Sequence, residues 1–179
     1  MERRRKGAGE IPSPLDKHQN DKSSKEWIIA SVGLGASLLD QGVYDKGRKW
    51  ILRADSSLTD AIHPELQAYV KSNVGWSYKT SRDYSNSQKY YTSALSLANK
   101  SGDQYRIAQV SNSLSLLTYQ LGYYDDAIKY GRIAVQSFEQ IDDPFLLSIS
   151  YRNLASAYEA LGFTEEAEEN FIKSYNTTI

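Results

Sequence analysis

The chain has 179 residues, with 21 Lys and Arg against 22 Asp and Glu, a formal charge of −1. That balance excludes a global attraction to nucleic acid or to an anionic membrane. No cysteine is present, which excludes disulfides, thiol chemistry and thiolate-held metal, and no apolar run approaches the roughly 18–20 residues of a membrane span.

Residues 1–24 hold Pro12, Pro14, a basic cluster at 3–6 and scattered charges without helical periodicity. They read as a disordered basic and polar leader, whose four cations suit a solvated end better than a nucleic-acid or nuclear-import patch. No apolar stretch follows the cluster, so it is not a secretory signal. At Ser23 or Ser24 the pattern changes to a helix cap, with Glu26 in the first turn. Trp27, Ile28, Val32, Leu34, Leu38 and Leu39 then recur near helical spacing until Gly42 stops the helix. A second helix is expected over about 45–58, carrying Trp50, Ile51, Leu52 and Leu58. His63-Pro64-Glu65 opens a third, with proline where a missing N–H is harmless. It runs to Thr80, and a fourth spans about 85–98 before a polar loop at 99–103. Helices follow at about 104–121 and 125–140. Asp143-Pro144 then opens 144–161, and 165–176 comes last. The sum is eight helices, four hairpins and no strand. Tyrosine is abundant, at 14 residues, and suits thin layers because its ring packs while its hydroxyl stays wet.

The turns repeat. Gln41-Gly42-Val43-Tyr44, Ser81-Arg82-Asp83-Tyr84, Leu121-Gly122-Tyr123-Tyr124 and Leu161-Gly162-Phe163-Thr164 follow one another at a constant period of 40, as positions 42, 82, 122 and 162 show. Fixed self-similarity at this period marks a solenoid of helical hairpins. Superposed on the turns, one core position reads Leu34, Val74, Leu114, Leu154, and the next Gly35, Gly75, Ser115, Ala155. In the second helix the order is Gly47, Ser87, Ala127, Ala167, then Ile51, Tyr91, Gly131, Phe171, then Ala54, Ala94, Ala134, Ser174. Small residues let one helix lie close against the next. This alternation resembles the tetratricopeptide repeat, best over Asn153 to Phe171 and over Leu116 to Ala134. HEAT and armadillo units share the length; the small positions and the turn glycine favour the tetratricopeptide pattern. That family's units commonly run 34 residues, so each hairpin here carries about 9 Å of additional helix. The first repeat departs most, with Gly33, Gly35 and Gly47 in helical positions where each glycine costs about 0.5–1 kcal/mol.

The resemblance implies an all-α fold, an α-solenoid with right-handed superhelical sense. It covers a domain at 25–179 with repeats at about 25–64, 65–103, 104–143 and 144–179. It also implies that the first helix of each hairpin lines a concave groove. Projection onto this chain gives Ile29, Val32, Ala36 and Leu39 from repeat one, and Tyr69, Ser72, Asn73, Trp76 and Lys79 from repeat two. Repeat three gives Gln109, Asn112, Leu116 and Tyr119, and repeat four Ile149, Arg152, Asn153, Ser156 and Glu159. Of these, Tyr69, Asn73, Trp76, Lys79, Gln109, Asn112, Leu116, Tyr119, Arg152, Asn153 and Glu159 are the expected partner-binding residues. Asparagine offers both donor and acceptor to an extended peptide, and Trp and Tyr are common anchors. The same asparagines would serve equally to bond a neighbouring helix, and Trp76 to pack between repeats.

Co-chaperone members of the family resemble one another in a carboxylate clamp of lysines, arginine and asparagines. Projected here, its positions read Val32, Ala36, Asn73, Gln109 and Ser113, or Ser72, Trp76, Ser113, Ile149 and Asn153. Neither frame supplies the cations, so no chaperone tail is expected. The two histidines, His18 and His63, form no pair, and no metal-binding or phosphate-binding motif is present. The expectation is a non-enzymatic intracellular (cytoplasmic) adaptor or scaffold for protein or peptide, with no cofactor, metal, nucleic acid or membrane. The alternative is a peptide-sensing or ligand-sensing module of a larger signalling or transcription regulator. Phe171, Ile172 and Tyr175 meet no following helix in the sequence. They are expected to pair in a homodimer or to receive further repeats.

Overall fold

The computed structural model describes residues 24–177; the basic leader and Ser23 lie outside them. Eight helices follow in order: α1 (Lys25–Asp40), α2 (Tyr44–Ser56), α3 (Pro64–Thr80), α4 (Tyr84–Ser101), α5 (Gln104–Gln120), α6 (Tyr124–Ile141), α7 (Pro144–Ala160) and α8 (Thr164–Thr177). No strand occurs among the described residues, and none of these helices is long and apolar enough to cross a membrane.

Local chemistry sets the boundaries. The Ser24 hydroxyl accepts from the Trp27 N–H at 3.2 Å and starts α1. Asp83, Asp103 and Asp143 cap α4, α5 and α7 in the same way, and Pro64 and Pro144 sit in the first turns of α3 and α7. Each hairpin turn closes with the N–H two residues past the cap reaching back to the helix. Val43, Asp83, Tyr123 and Phe163 donate to the carbonyls of Leu38, Tyr78, Thr118 and Tyr158 at 2.8–3.0 Å. This closure needs a left-handed residue, supplied by Gly42, Gly122 and Gly162 at φ 78–80° and by Arg82 at φ 62°.

Two boundaries differ from the sequence expectation. α2 ends at Ser56, and Leu58 packs from the connecting segment rather than from the helix. α4 continues through Ser101, so the polar loop shrinks to Gly102, left-handed at φ 72°, followed by the capping Asp103.

Within each hairpin the two helices pack antiparallel, and each even-numbered helix also meets the odd-numbered helix that follows it. α1, α3, α5 and α7 touch in succession, whereas α2, α4, α6 and α8 form no comparable contacts with one another. The odd-numbered helices therefore form the inner, closely spaced row of a solenoid. The core runs along the seam: Ile28, Val32, Ile51, Val70 and Val74 at one end, Tyr91, Val110, Leu114 and Leu117 in the middle, and Tyr151, Leu154 and Tyr158 beyond. The tyrosines behave as their chemistry requires. The rings of Tyr151 and Tyr158 are buried, while the Tyr158 hydroxyl accepts from Arg132 Nε at 2.8 Å and the Tyr151 hydroxyl donates to Glu139. Burial, reinforced by Glu139, pushes the Tyr151 phenol up to about 12.

Candidate functional site

The inner row opens into a cleft of about 430 Å³ between α3 and α5. It is lined by Tyr69, Ser72, Asn73, Trp76 and Lys79 from α3, and by Arg106, Gln109, Val110 and Ser113 from α5, with the Tyr91 ring at its floor. A second cleft of about 300 Å³ shares Tyr69 and Arg106 and extends toward Lys25, Ile29 and Glu65. Five of the residues expected to bind a partner thus share one concavity: Tyr69, Asn73, Trp76, Lys79 and Gln109.

The other six lie outside it. Asn112 and Asn153 join α5 to α7: Asn153 Nδ2 donates to Asn112 Oδ1 at 3.0 Å, and Ser150 Oγ donates to the same oxygen at 3.3 Å. Leu116 is half-buried. Tyr119 is half-buried against Tyr124, ring centroids 5.5 Å apart. Arg152 and Glu159 are exposed on α7. In repeat one, Val32 and Leu39 do not face a groove. Both are buried in the core, because that stretch of α1 turns its apolar side to α2 and α3. Ile29 alone of the four is exposed.

Asn73 spends its Nδ2 on its own helix, donating to the Tyr69 carbonyl at 2.8 Å. Trp76 packs against both the first and the middle core clusters, so it joins repeats while showing part of its ring in the cleft. Arg106 is held on three sides. Its guanidinium sits 5.0 Å from the Tyr69 ring centroid, its Nη1 donates to Gln109 Oε1 at 2.6 Å, and Asp103 lies 4.0 Å away. Burial raises the Tyr69 phenol, and Arg106 partly offsets it. Burial draws the Lys79 ammonium below the usual lysine range.

Arg106, Tyr91 and Val110 line the cleft too, and lie outside the groove positions projected from the repeat family. Arg106 stands one turn before Gln109, a spacing that places it on the same helix face and was readable. Tyr91 was not readable as a cleft residue. It enters from α4 through the space left by Gly75, where an added Cβ would come within 2.8 Å of its ring.

Residues 68–101 match the family described as the tetratricopeptide repeat. A search of the curated proteins found no match. BtubC from P. vanneervenii superposes with a TM-score of 0.78 at 22% identity, over 85% of this chain and 63% of that one. Aspartyl phosphate phosphatase F from Bacillus subtilis superposes at 0.78 and 16% identity, over 88% of this chain and 41% of that one. A Rap protein complexed with competence and sporulation factor superposes at 0.70 and 16% identity, over 92% of this chain and 55% of that one. The chain thus spans less than two thirds of the length of each. These likenesses establish the fold: the chain is an α-solenoid of tetratricopeptide-type repeats. Among the described residues no group of three His, Asp or Glu side chains is placed to hold a metal ion.

Proposed function

We propose that this tetratricopeptide-repeat array is a non-enzymatic scaffold that binds an extended peptide or a partner helix along its inner row. The observation that carries the reading is the Asn112–Asn153 pair. Their mutual bond uses the Asn112 oxygen and the Asn153 nitrogen. It leaves Asn112 Nδ2 and Asn153 Oδ1, one donor and one acceptor, without partners among the described residues. An extended peptide presents that complement, one C=O and one N–H, at each residue. Arg152, exposed next to Asn153, adds a charged donor. Affinity capture with the wild-type chain and an Asn112→Ala/Arg152→Ala double variant tests this. The variant is expected to lose about tenfold in partner retention, roughly 1.4 kcal/mol. Equal retention by both proteins overturns the groove reading.

The second reading, a peptide-sensing module of a longer regulator, draws on the Rap likeness, since that protein was solved with competence and sporulation factor. It uses the same groove and differs in requiring an attached output domain.

The outer face of α8 supports a separate proposal, docking of a second copy of this chain or of further repeats. Ile51 and Tyr91 are 0% and 3% exposed, and Gly131 is buried, whereas Phe171, at the equivalent position, is 38% exposed beside exposed Ile172 and Tyr175. In each earlier repeat the following odd-numbered helix covers this position. Light scattering over a range of concentrations is expected to show a dimer that Phe171→Glu dissociates. A monomer at every concentration overturns the second copy.

A further inference from the structure

Lys79 is half-buried near the C-terminal end of α3, in the wall of the larger cleft. Its ammonium meets no carboxylate and no hydrogen-bond acceptor among the described residues. The contrast with its neighbours is sharp. Lys71 is paired with Asp55 at 2.7 Å, and Arg106 is occupied by Gln109, Asp103 and the Tyr69 ring. Every other residue lining the cleft is uncharged, so the concavity carries two cations and no anion. A partly desolvated charge without a counterion is unfavourable, and a ligand that supplies one recovers that free energy on binding. Lys79 stands six residues beyond Asn73, outside either frame of the carboxylate-clamp positions, so the cation is a feature of this groove.

We propose that the cleft between α3 and α5 recognises an acidic side chain, Asp or Glu, of an extended peptide, with Lys79 as its counterion. The proposal rests on the groove reading above and adds its selectivity. Trp76, one turn before Lys79, and Tyr69 supply apolar surface for the residues flanking the acid. Ser113 and the free Oδ1 of Asn73 supply polar contacts to the peptide backbone.

The test uses three mixed octapeptide libraries, acetylated and amidated so that no chain-end charge competes. The central pair of residues is fixed as Glu in one library, Gln in the second and Lys in the third. The wild-type chain is expected to retain the Glu library about tenfold over the Gln library. Lys79→Met is expected to abolish that difference, and Lys79→Glu to turn the preference toward the Lys library. A structural role for Lys79 would not produce this inversion. Thermal melting checks that each variant is folded, and Lys79→Gln replaces the methionine variant if that one is not. Equal retention of the Glu and Gln libraries by the wild-type chain overturns the acidic selectivity and leaves the groove reading standing. A Glu preference that survives Lys79→Met overturns it too. Failure of the wild-type chain to retain any library overturns this inference together with the extended-peptide form of the groove reading.

Discussion

Phe138→Ala is expected to lower the stability of the array by about 3–5 kcal/mol, while Phe145→Ala changes it by less than about 0.5 kcal/mol. The two phenylalanines stand seven residues apart on either side of the α6–α7 turn, yet Phe138 is 0% exposed and Phe145 is 69% exposed. Phe138 is the largest of the fully buried side chains, and the Tyr105 ring meets it edge-on, 6.4 Å between centroids. Truncation removes the ring's transfer free energy and leaves a void that helices on both sides would have to collapse to fill. A solenoid holds itself together through nearest-neighbour layers, so a void in the third repeat weakens the contacts on both sides of it. In a chain of this size the loss corresponds to a fall in melting temperature of roughly 10 °C. Thermal unfolding of both variants under one set of conditions is the measurement. A Phe138→Ala transition no lower than that of Phe145→Ala would show that the third layer does not carry the stability assigned to it.

Most of the architecture was legible because one constraint repeats. A left-handed residue every 40 positions fixes where each first helix ends, Ser24, Asp83, Asp103 and Asp143 cap four helices, and Pro64 and Pro144 open two. The second repeat shows why pattern outranks identity: Arg82 fills the glycine position at φ 62°, an unfavourable conformation for arginine that the hairpin closure maintains. What the sequence did not reveal was which small residue complements which large one. Repeat two pairs Gly75 with the Tyr91 ring, whereas Gly131 of repeat three faces Ser115 of its own repeat and Leu154 of repeat four. The side chain that fills the space beside a small residue can come from its own repeat or the next, and which one does so emerges only in three dimensions. The groove divides along the same line. Tyr69, Asn73, Trp76, Lys79 and Gln109, projected onto the inner row from the tetratricopeptide resemblance, line one cleft. Val32 and Leu39 are buried because that side of α1 packs against α2 and α3 rather than opening to a groove. Nothing in the spacing distinguishes paired Lys71 from unpaired Lys79; only the positions of Asp55 and of the cleft do.

The three helical glycines of the first hairpin separate by the same logic, and opposite signs are expected for Gly33→Ala and Gly35→Ala. Propensity alone makes every helical glycine a cost of about 0.5–1 kcal/mol, so alanine should stabilise at each. At Gly33 an added Cβ meets nothing within 4 Å, and the propensity gain stands uncontested. At Gly35 the same methyl would lie 2.5 Å from Ile51 Cγ1 and 2.7 Å from the Gly47 carbonyl oxygen. The side chain can shift; the backbone oxygen belongs to α2 and moves only if the helices separate. Gly47 faces the mirror-image problem, its Cβ falling 2.7 Å from the Gly35 carbonyl. α1 and α2 therefore touch backbone to backbone, and Ile51 fills the space a side chain at position 35 would need. Overpacking of this kind destabilises by about 1–3 kcal/mol, more than the propensity gain returns. Gly33→Ala is expected to raise the melting temperature by about 1–4 °C and Gly35→Ala to lower it by several degrees. Equal rises for both variants would mean that α1 and α2 separate without penalty, and that the close contact at Gly35 and Gly47 does not hold the first hairpin together.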